Sequence, residues 1–599
     1  MDESRNISDQ RPDSQLSSTP VSRRSFLGAA SLGVAGLGAA SAATLLAGVP
    51  ASRVAQSSST SATASGEVFF DLLRTPDSIT AYERLSDPVP LSRSGSQWQG
   101  KGIGVESSAD ATQLALRVHA PSMAIRYIHV RWTMKVAAIP HVLGDHWERS
   151  YGDLGWRSIV SERVMPWYFA TWDGRSCNTY GVKTGAGSLC FWQLDPDGVS
   201  LWLNLSNGGS GVKLGQRVLE AATVVTRKGN PGEEPTSAIR AFCRQMCSQP
   251  SRPSQPVYGT NDWYYAYGKN TAEQILNDTD FIANLSVNNA IRPFSVIDMG
   301  WSVGAPKFPS MPQLANQIRE RRARPGIWIR PLEAPANTDR GLLISDRRFE
   351  NSADASQLAY DPTVPEALER VLAKVKQVVD WGYELVKHDF STYDLLGRWG
   401  SGMGAEPTIS SWSLHDQSRT NAEIIRNFYQ QIRATCKPET LILGCNTMGH
   451  LGQSIFDIQR TGDDTSGRIW ERTRRMGINT LAFRLPQHET FFVQDADCVG
   501  ISADVPWELN RQWLDLLAHS GTAVLISPGE GSRIPEHAEA IKRAFKLAAS
   551  GGDGARPASP VQESTPQTWI TGLAGQSKES DRKLHYDWYG EGGAFPFTV

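Results

Sequence analysis

From Val257 onward the sequence repeats one rhythm, a short apolar run followed by a longer stretch of helical period, and nothing else constrains the fold as much. The strand-like runs are Trp263-Tyr264-Tyr265-Ala266, Phe294-Ser295-Val296-Ile297, Gly326-Ile327-Trp328-Ile329, Tyr383-Glu384-Leu385-Val386 and Leu441-Ile442-Leu443-Gly444. Ile478-Asn479-Thr480-Leu481-Ala482-Phe483 and Ala523-Val524-Leu525-Ile526 continue the series, with one further strand placed near Phe456–Gln459. Helical patterns lie between them, for example 364–380 and 419–435. Repeating strand–helix units bury apolar strands under a layer of helices, so the pattern predicts a central (β/α)8 TIM barrel over 257–548.

Before it, 66–248 reads as short alternating strands broken by turn formers such as Asp195-Pro196-Asp197-Gly198, which predicts an N-terminal β-sandwich. Its strands include Ala115–Val118, Tyr127–Trp132, Leu189–Trp192 and Val199–Leu203. A connecting helix is expected over 236–248, and Pro250, Pro253 and Pro256 mark the boundary. After a Gly/Pro-rich break at 550–560, residues 560–599 return to strand patterns at Thr568–Thr571 and Lys583–Tyr586, a short C-terminal β segment.

Residues 1–65 read as address and linker. Ser22-Arg23-Arg24-Ser25-Phe26-Leu27 resembles the twin-arginine export signal of bacteria and precedes an uncharged, Ala/Gly-rich stretch from Ser25 to Ala51. The resemblance implies the twin-arginine export machinery as a partner and a periplasmic or extracellular location, membrane-anchored if the signal is left uncleaved. Ala40-Ser41-Ala42 is one candidate cleavage site, and 52–65 reads as a linker.

Lys+Arg 60 against Asp+Glu 62 gives a net charge of −2, without the basic excess of a nucleic-acid binder. The 19 Trp residues supply flat apolar faces with a polar edge, suited to sugar stacking as well as to cores. The seven cysteines are odd in number and scattered, so they are no disulfide framework. Cys243 and Cys247 lie four apart, but no second pair completes a metal site, and no metal or cofactor is expected.

In a strand–helix barrel, catalytic groups project from the C-terminal strand ends. Asp298-Met299-Gly300-Trp301 follows 294–297, and Lys387-His388-Asp389-Phe390 follows Leu385-Val386. Cys445-Asn446 follows 441–444, and Arg460-Thr461-Gly462-Asp463-Asp464 follows 456–459. With Asp495-Ala496-Asp497-Cys498 as a fifth motif, the series D-x-G-W, K-x-D, C-N, R-x-x-x-D and D-x-D-C resembles the α-galactosidase (melibiase) clan of retaining glycoside hydrolases, families 27 and 36. The resemblance covers roughly 257–530, and the preceding β region is similar to the sandwich of family 36.

It implies Asp389 as nucleophile and Asp464 as acid/base, with Asp463 left open as the alternative to Asp464. Retention needs two carboxyls about 5–5.5 Å apart. Lys387 is expected to keep the nucleophile ionised and to bind sugar hydroxyls, and Arg460 to bind hydroxyls as a fork of donors. Asp298, Trp301, Cys445, Trp263 and Trp328 complete the expected substrate-binding set, while Asp495 and Asp497 read as loop carboxylates.

One departure stands out. The galactosidase pattern has two consecutive carboxylates where this chain has Asp298-Met299, and a thioether is a poor acceptor for sugar hydroxyls. A second unusual stretch is His146-Trp147-Glu148-Arg149-Ser150-Tyr151-Gly152-Asp153-Leu154-Gly155-Trp156. It is too polar for a core strand, and reads either as a loop that reaches over the barrel mouth and builds a substrate subsite or as an exposed loop without a role. The resemblance thus implies an exported retaining glycoside hydrolase that cleaves terminal α-galactoside-like sugars from an oligosaccharide or glycoside by double displacement through a glycosyl-enzyme. Its alternatives are a β-L-arabinopyranosidase, a transglycosylase, or a non-catalytic carbohydrate-binding protein.

Overall fold

A computed structural model describes residues 69–136, 139, 141–247, 249–250, 253–350, 356–572, 582–589 and 593. The export signal and linker expected over 1–65 lie outside the described residues.

The N-terminal region contains two antiparallel sheets of six and eight strands and a small three-stranded one. Alternation does the folding here. In Leu114–His119 every second residue (Leu114, Leu116, Val118) is buried, the pattern of a strand with one face on a core. The two large sheets share that core: Phe169 of the eight-stranded sheet lies 5.6 Å, ring to ring, from Trp192 of the six-stranded one. Helix Pro235–Met246, capped by the Glu234 carboxylate, leads out of this region.

Nine strand segments form the parallel sheet, in the spatial order Val493–Asp495, Ile458–Arg460, Leu441–Gly444, Leu385–His388, Arg324–Ile329, Phe294–Ile297, Tyr258–Asn261, Val524–Pro528, Val499–Ile501. The sheet curls: its end strand meets the other side through a parallel bridge from Asp495 to Ala523, where Ala523 N donates to Gln494 O at 2.9 Å. Phe294, Val296, Leu385, Leu441, Leu443, Ile458 and Leu525 pack together as one apolar cluster. Helices Pro365–Asp380 and Asn421–Thr435, the latter with a Thr420/Glu423 capping box, fall where the period places them.

Two apolar runs take other forms. Trp263–Ala266 is a short helix, and the strand is the preceding Tyr258–Asn261. Ile478–Phe483 is helical as part of Arg474–Asn479 and Thr480–Arg484, and the strand of that unit comes later, split into Val493–Asp495 and Val499–Ile501. A six-residue apolar run buried on all sides has no period to distinguish strand from helix. The last described strands form a three-stranded antiparallel sheet, Arg556–Pro557, Thr568–Thr571 and Arg582–His585. Tyr586 OH anchors the last strand to Asp515 at 2.8 Å, on helix Trp507–Ser520.

Histidines whose burial outweighs the pull of a nearby carboxylate, Asp389 for His388 and Asp145 for His450, give the fold an acid limit. His388 is fully buried, edge-on to Phe428, Tyr429 and Phe456, and burial pushes it down to about 3. Burial likewise lowers His450 to about 4. The unfolded chain takes up these protons below about pH 6.5 and the folded one does not, so stability falls with pH from about 6.5 toward 3–4. Each histidine contributes a slope of about 1.4 kcal/mol per pH unit inside that window. Urea midpoints measured from pH 7 to 4.5 should therefore drop steeply, and less so in His388→Gln; equal slopes would overturn this reading.

Candidate active site

Four strand ends and one loop from the β region build the site. Each of Asp298, Lys387, Asp389, Cys445, Arg460, Asp464, Trp263 and Trp328 is at most 6% exposed. At the end of Phe294–Ile297, Asp298 Oδ2 accepts from Lys387 Nζ at 2.7 Å and from Asn261 Nδ2 at 2.9 Å, and Oδ1 accepts from Met299 N at 2.8 Å. The Lys387 ammonium, expected to serve Asp389, thus bonds to Asp298. Their strands are separated by Arg324–Ile329, so the two side chains meet across the inside of the curl.

Asp389 follows Leu385–His388 directly. Its Oδ2 accepts from Trp328 Nε1 at 2.9 Å and its Oδ1 from Phe390 N at 2.8 Å. Phe390 adopts φ +65°, turning the chain sharply into helix Ser391–Leu396. Cys445 sits among the charged groups: Arg460 Nη1 lies 3.4 Å and Arg149 Nη1 3.8 Å from its sulfur. Burial, with Asp389 adding to it, pushes the thiol up to about 12, so it stays protonated and serves as a small neutral filler between cations.

Arg460 reaches Asp497 at 2.8 Å and Asp464 at 3.3 Å. Burial opposes its charge, yet Asp497 and Asp464 hold it well above the ordinary guanidinium value. Asp497, read from sequence as a loop carboxylate, therefore anchors the sugar-binding candidate Arg460; it also accepts from Thr465 N at 2.8 Å and from Tyr264 OH. Trp263 packs on Tyr267 in the apolar cluster, with half-buried Met299 at its margin. Trp301 stands apart from this set: its Nε1 donates to Trp328 O at 2.8 Å and its ring meets Trp381 edge-on.

The segment 146–156 reaches the site. Ser150 N donates to Thr461 O and Asp463 N donates to Ser150 O, each at 2.9 Å, a parallel bridge at Gly462. A Cβ on Gly462 would lie 2.2 Å from Met476 O, so only glycine lets the loop pass the helix behind it. This pairing delivers Arg149, whose Nη2 lies 2.7 Å from Asp463 and whose Nη1 lies 3.6 Å from Asp464, with Trp399 5.4 Å beneath the guanidinium. Arg472 grips the other Asp463 oxygen at 2.7 Å. Glu148, pushed up by burial against the pull of Arg149, accepts from Gly400 N at 2.9 Å and from Asn446 Nδ2 and Tyr151 OH. Asn446 Oδ1 in turn accepts from Tyr393 N at 3.1 Å, on the helix after Asp389. Sequence reasoning missed Arg149, Glu148, Asn261 and Tyr264. The polar, aromatic run at 146–156 was the only signal for the first two. A separate cavity of about 560 Å³ beside Gly185–Gly187 holds none of these groups.

No family model matches the chain. Among solved structures it is similar to an α-galactosidase from Thermus thermophilus in complex with p-nitrophenyl α-D-galactopyranoside, at 16% identity and a TM-score of 0.52, over 78% of this chain and 94% of that one. A family 36 α-galactosidase variant from Geobacillus stearothermophilus in complex with 1-deoxygalactonojirimycin gives 12% identity and a TM-score of 0.55, over 84% and 77%. Another variant of the same enzyme, in complex with raffinose, gives 10% identity and 0.53 over the same shares. The chain therefore has the fold of family 36 α-galactosidases.

Proposed function

We propose that the protein is a retaining glycoside hydrolase that removes terminal α-galactoside-like sugars by double displacement. The observation that carries this reading is one buried cluster at consecutive strand ends, with Asp389 held by two N–H donors and Asp464 beside Arg460. In this reading the curled sheet is a (β/α)8 barrel whose seventh strand is interrupted at 496–498. An Asp389 oxygen attacks the anomeric carbon while Asp464 gives its proton to the leaving oxygen. Asp464 then takes a proton from water, whose oxygen displaces Asp389. We assign the proton to Asp464 because Asp463 is committed as an anchor, each of its oxygens facing an arginine at 2.7 Å. Asp298 and Lys387 would hold hydroxyls of the bound sugar. We propose in the same spirit that the Arg23-Arg24 signal exports the folded protein.

Met299 favours a second substrate, a β-L-arabinopyranoside, which lacks the hydroxymethyl group. An apolar wall discriminates weakly, and an unpaired sugar hydroxyl costs about 1–3 kcal/mol. The mature protein assayed on a panel of nitrophenyl glycosides should cleave the arabinopyranoside at least as well as the α-galactoside. Met299→Asp should raise kcat/KM on the α-galactoside by about 1–3 kcal/mol of transition-state binding. Efficient α-galactoside cleavage by the unaltered protein would overturn the role given to Met299, and no cleavage of any glycoside would overturn the function.

A further inference from the structure

The loop that brings Arg149 into the site continues directly into a second cavity. It measures about 500 Å³ and lies between 152–157 of that loop, Arg475 and Phe483 of the following helices, and 560–564 of the C-terminal region. This is within the size of small-ligand sites. Its lining joins half-buried Trp156 to Asp153, Arg157, Arg475, Gln562 and Glu563. An aromatic face ringed by planar donors and carboxylate acceptors is the chemistry that recognises a pyranose: C–H groups on the indole, hydroxyls on the polar rim.

Two short links tie this cavity to the catalytic cluster. Arg149, which touches Asp463 and Asp464, is three residues from Gly152, at most about 11 Å along the chain. Arg472, which grips Asp463, is three residues from Arg475, one helical turn of about 5 Å. The loop itself is fixed: Leu154 exchanges two hydrogen bonds with Asn479, at 3.2 and 2.7 Å, and Asp153 pairs with His146 at 2.9 Å. Gly152 packs against Arg475 so closely that a Cβ would lie 2.9 Å from its carbonyl oxygen. The cavity is a rigid neighbour of the cluster.

We infer that this cavity is a distal subsite, binding a sugar on the leaving-group side of an oligosaccharide whose terminal residue occupies the Asp389/Asp464 site. The inference rests on the proposed glycosidase function and narrows it to oligosaccharides over simple glycosides. Trp156→Ala should lower kcat/KM for stachyose about ten-fold while changing kcat/KM for p-nitrophenyl α-D-galactopyranoside less than two-fold. Gln562→Trp, which fills the cavity from an exposed position on the opposite wall, should do the same. Unchanged stachyose hydrolysis in both variants, or an equal loss on both substrates, would overturn the subsite. If the unaltered protein cleaves neither substrate, the α-galactoside reading fails. Stachyose binding followed by tryptophan fluorescence then decides the subsite alone: weaker binding in the two variants supports it, and unchanged or absent binding overturns it.

Discussion

Asp389→Ala should abolish turnover, lowering kcat by about 10⁴-fold or more, because no other group can form the glycosyl ester. Alanine also leaves Trp328 Nε1 and Phe390 N without their carboxylate, at about 1–3 kcal/mol of stability. Asp389→Asn keeps an acceptor for one of these two N–H groups and sets its own NH2 against the other, but retains shape, so it separates chemistry from folding. Asp464→Ala should behave differently. On an aryl glycoside the leaving group departs without a proton, the second step stalls for lack of a base, and azide should restore turnover with a glycosyl azide as product. Azide rescue of Asp463→Ala in place of Asp464→Ala would move the acid/base by one residue, and rescue of neither would sink the double displacement.

The second large effect is expected at a residue of the β region. Arg149→Met removes a buried cation from between Asp463 and Asp464 and leaves a carboxylate pair with half its partners. Breaking a buried ion pair from one side costs about 3–5 kcal/mol, and because Arg472 still holds Asp463 the lower end applies. Asp463→Asn in the Arg149→Met background should recover part of the loss, since the uncompensated charge goes with it. Urea unfolding of the two single variants and the double variant measures the coupling. Activity should fall with stability, because Ser150 and Arg149 together hold the 461–464 loop that carries Asp464. A loss under about 0.5 kcal/mol, with kcat unchanged, would mean that the segment merely lies over the site.

What the sequence determined by itself was local. Apolar runs of four residues placed Phe294–Ile297 and Leu441–Gly444, and the helical period placed Pro365–Asp380 to within a residue, because burial on a strand face or helix stripe repeats along the chain. The polar residues after those runs, Asp298, Asp389 and Arg460, were legible as a site because parallel strands all end on one side of their sheet. Tertiary structure decided what needed a partner distant in sequence. Lys387 bonds to Asp298 across the curl of the sheet, 89 positions away, where strand adjacency pointed to Asp389. Arg149 reaches Asp463 from another region of the chain, which no spacing rule encodes. The fate of 478–483 also lay outside the sequence: a run buried on every side satisfies helix and strand equally, and the neighbours it packs against made the choice.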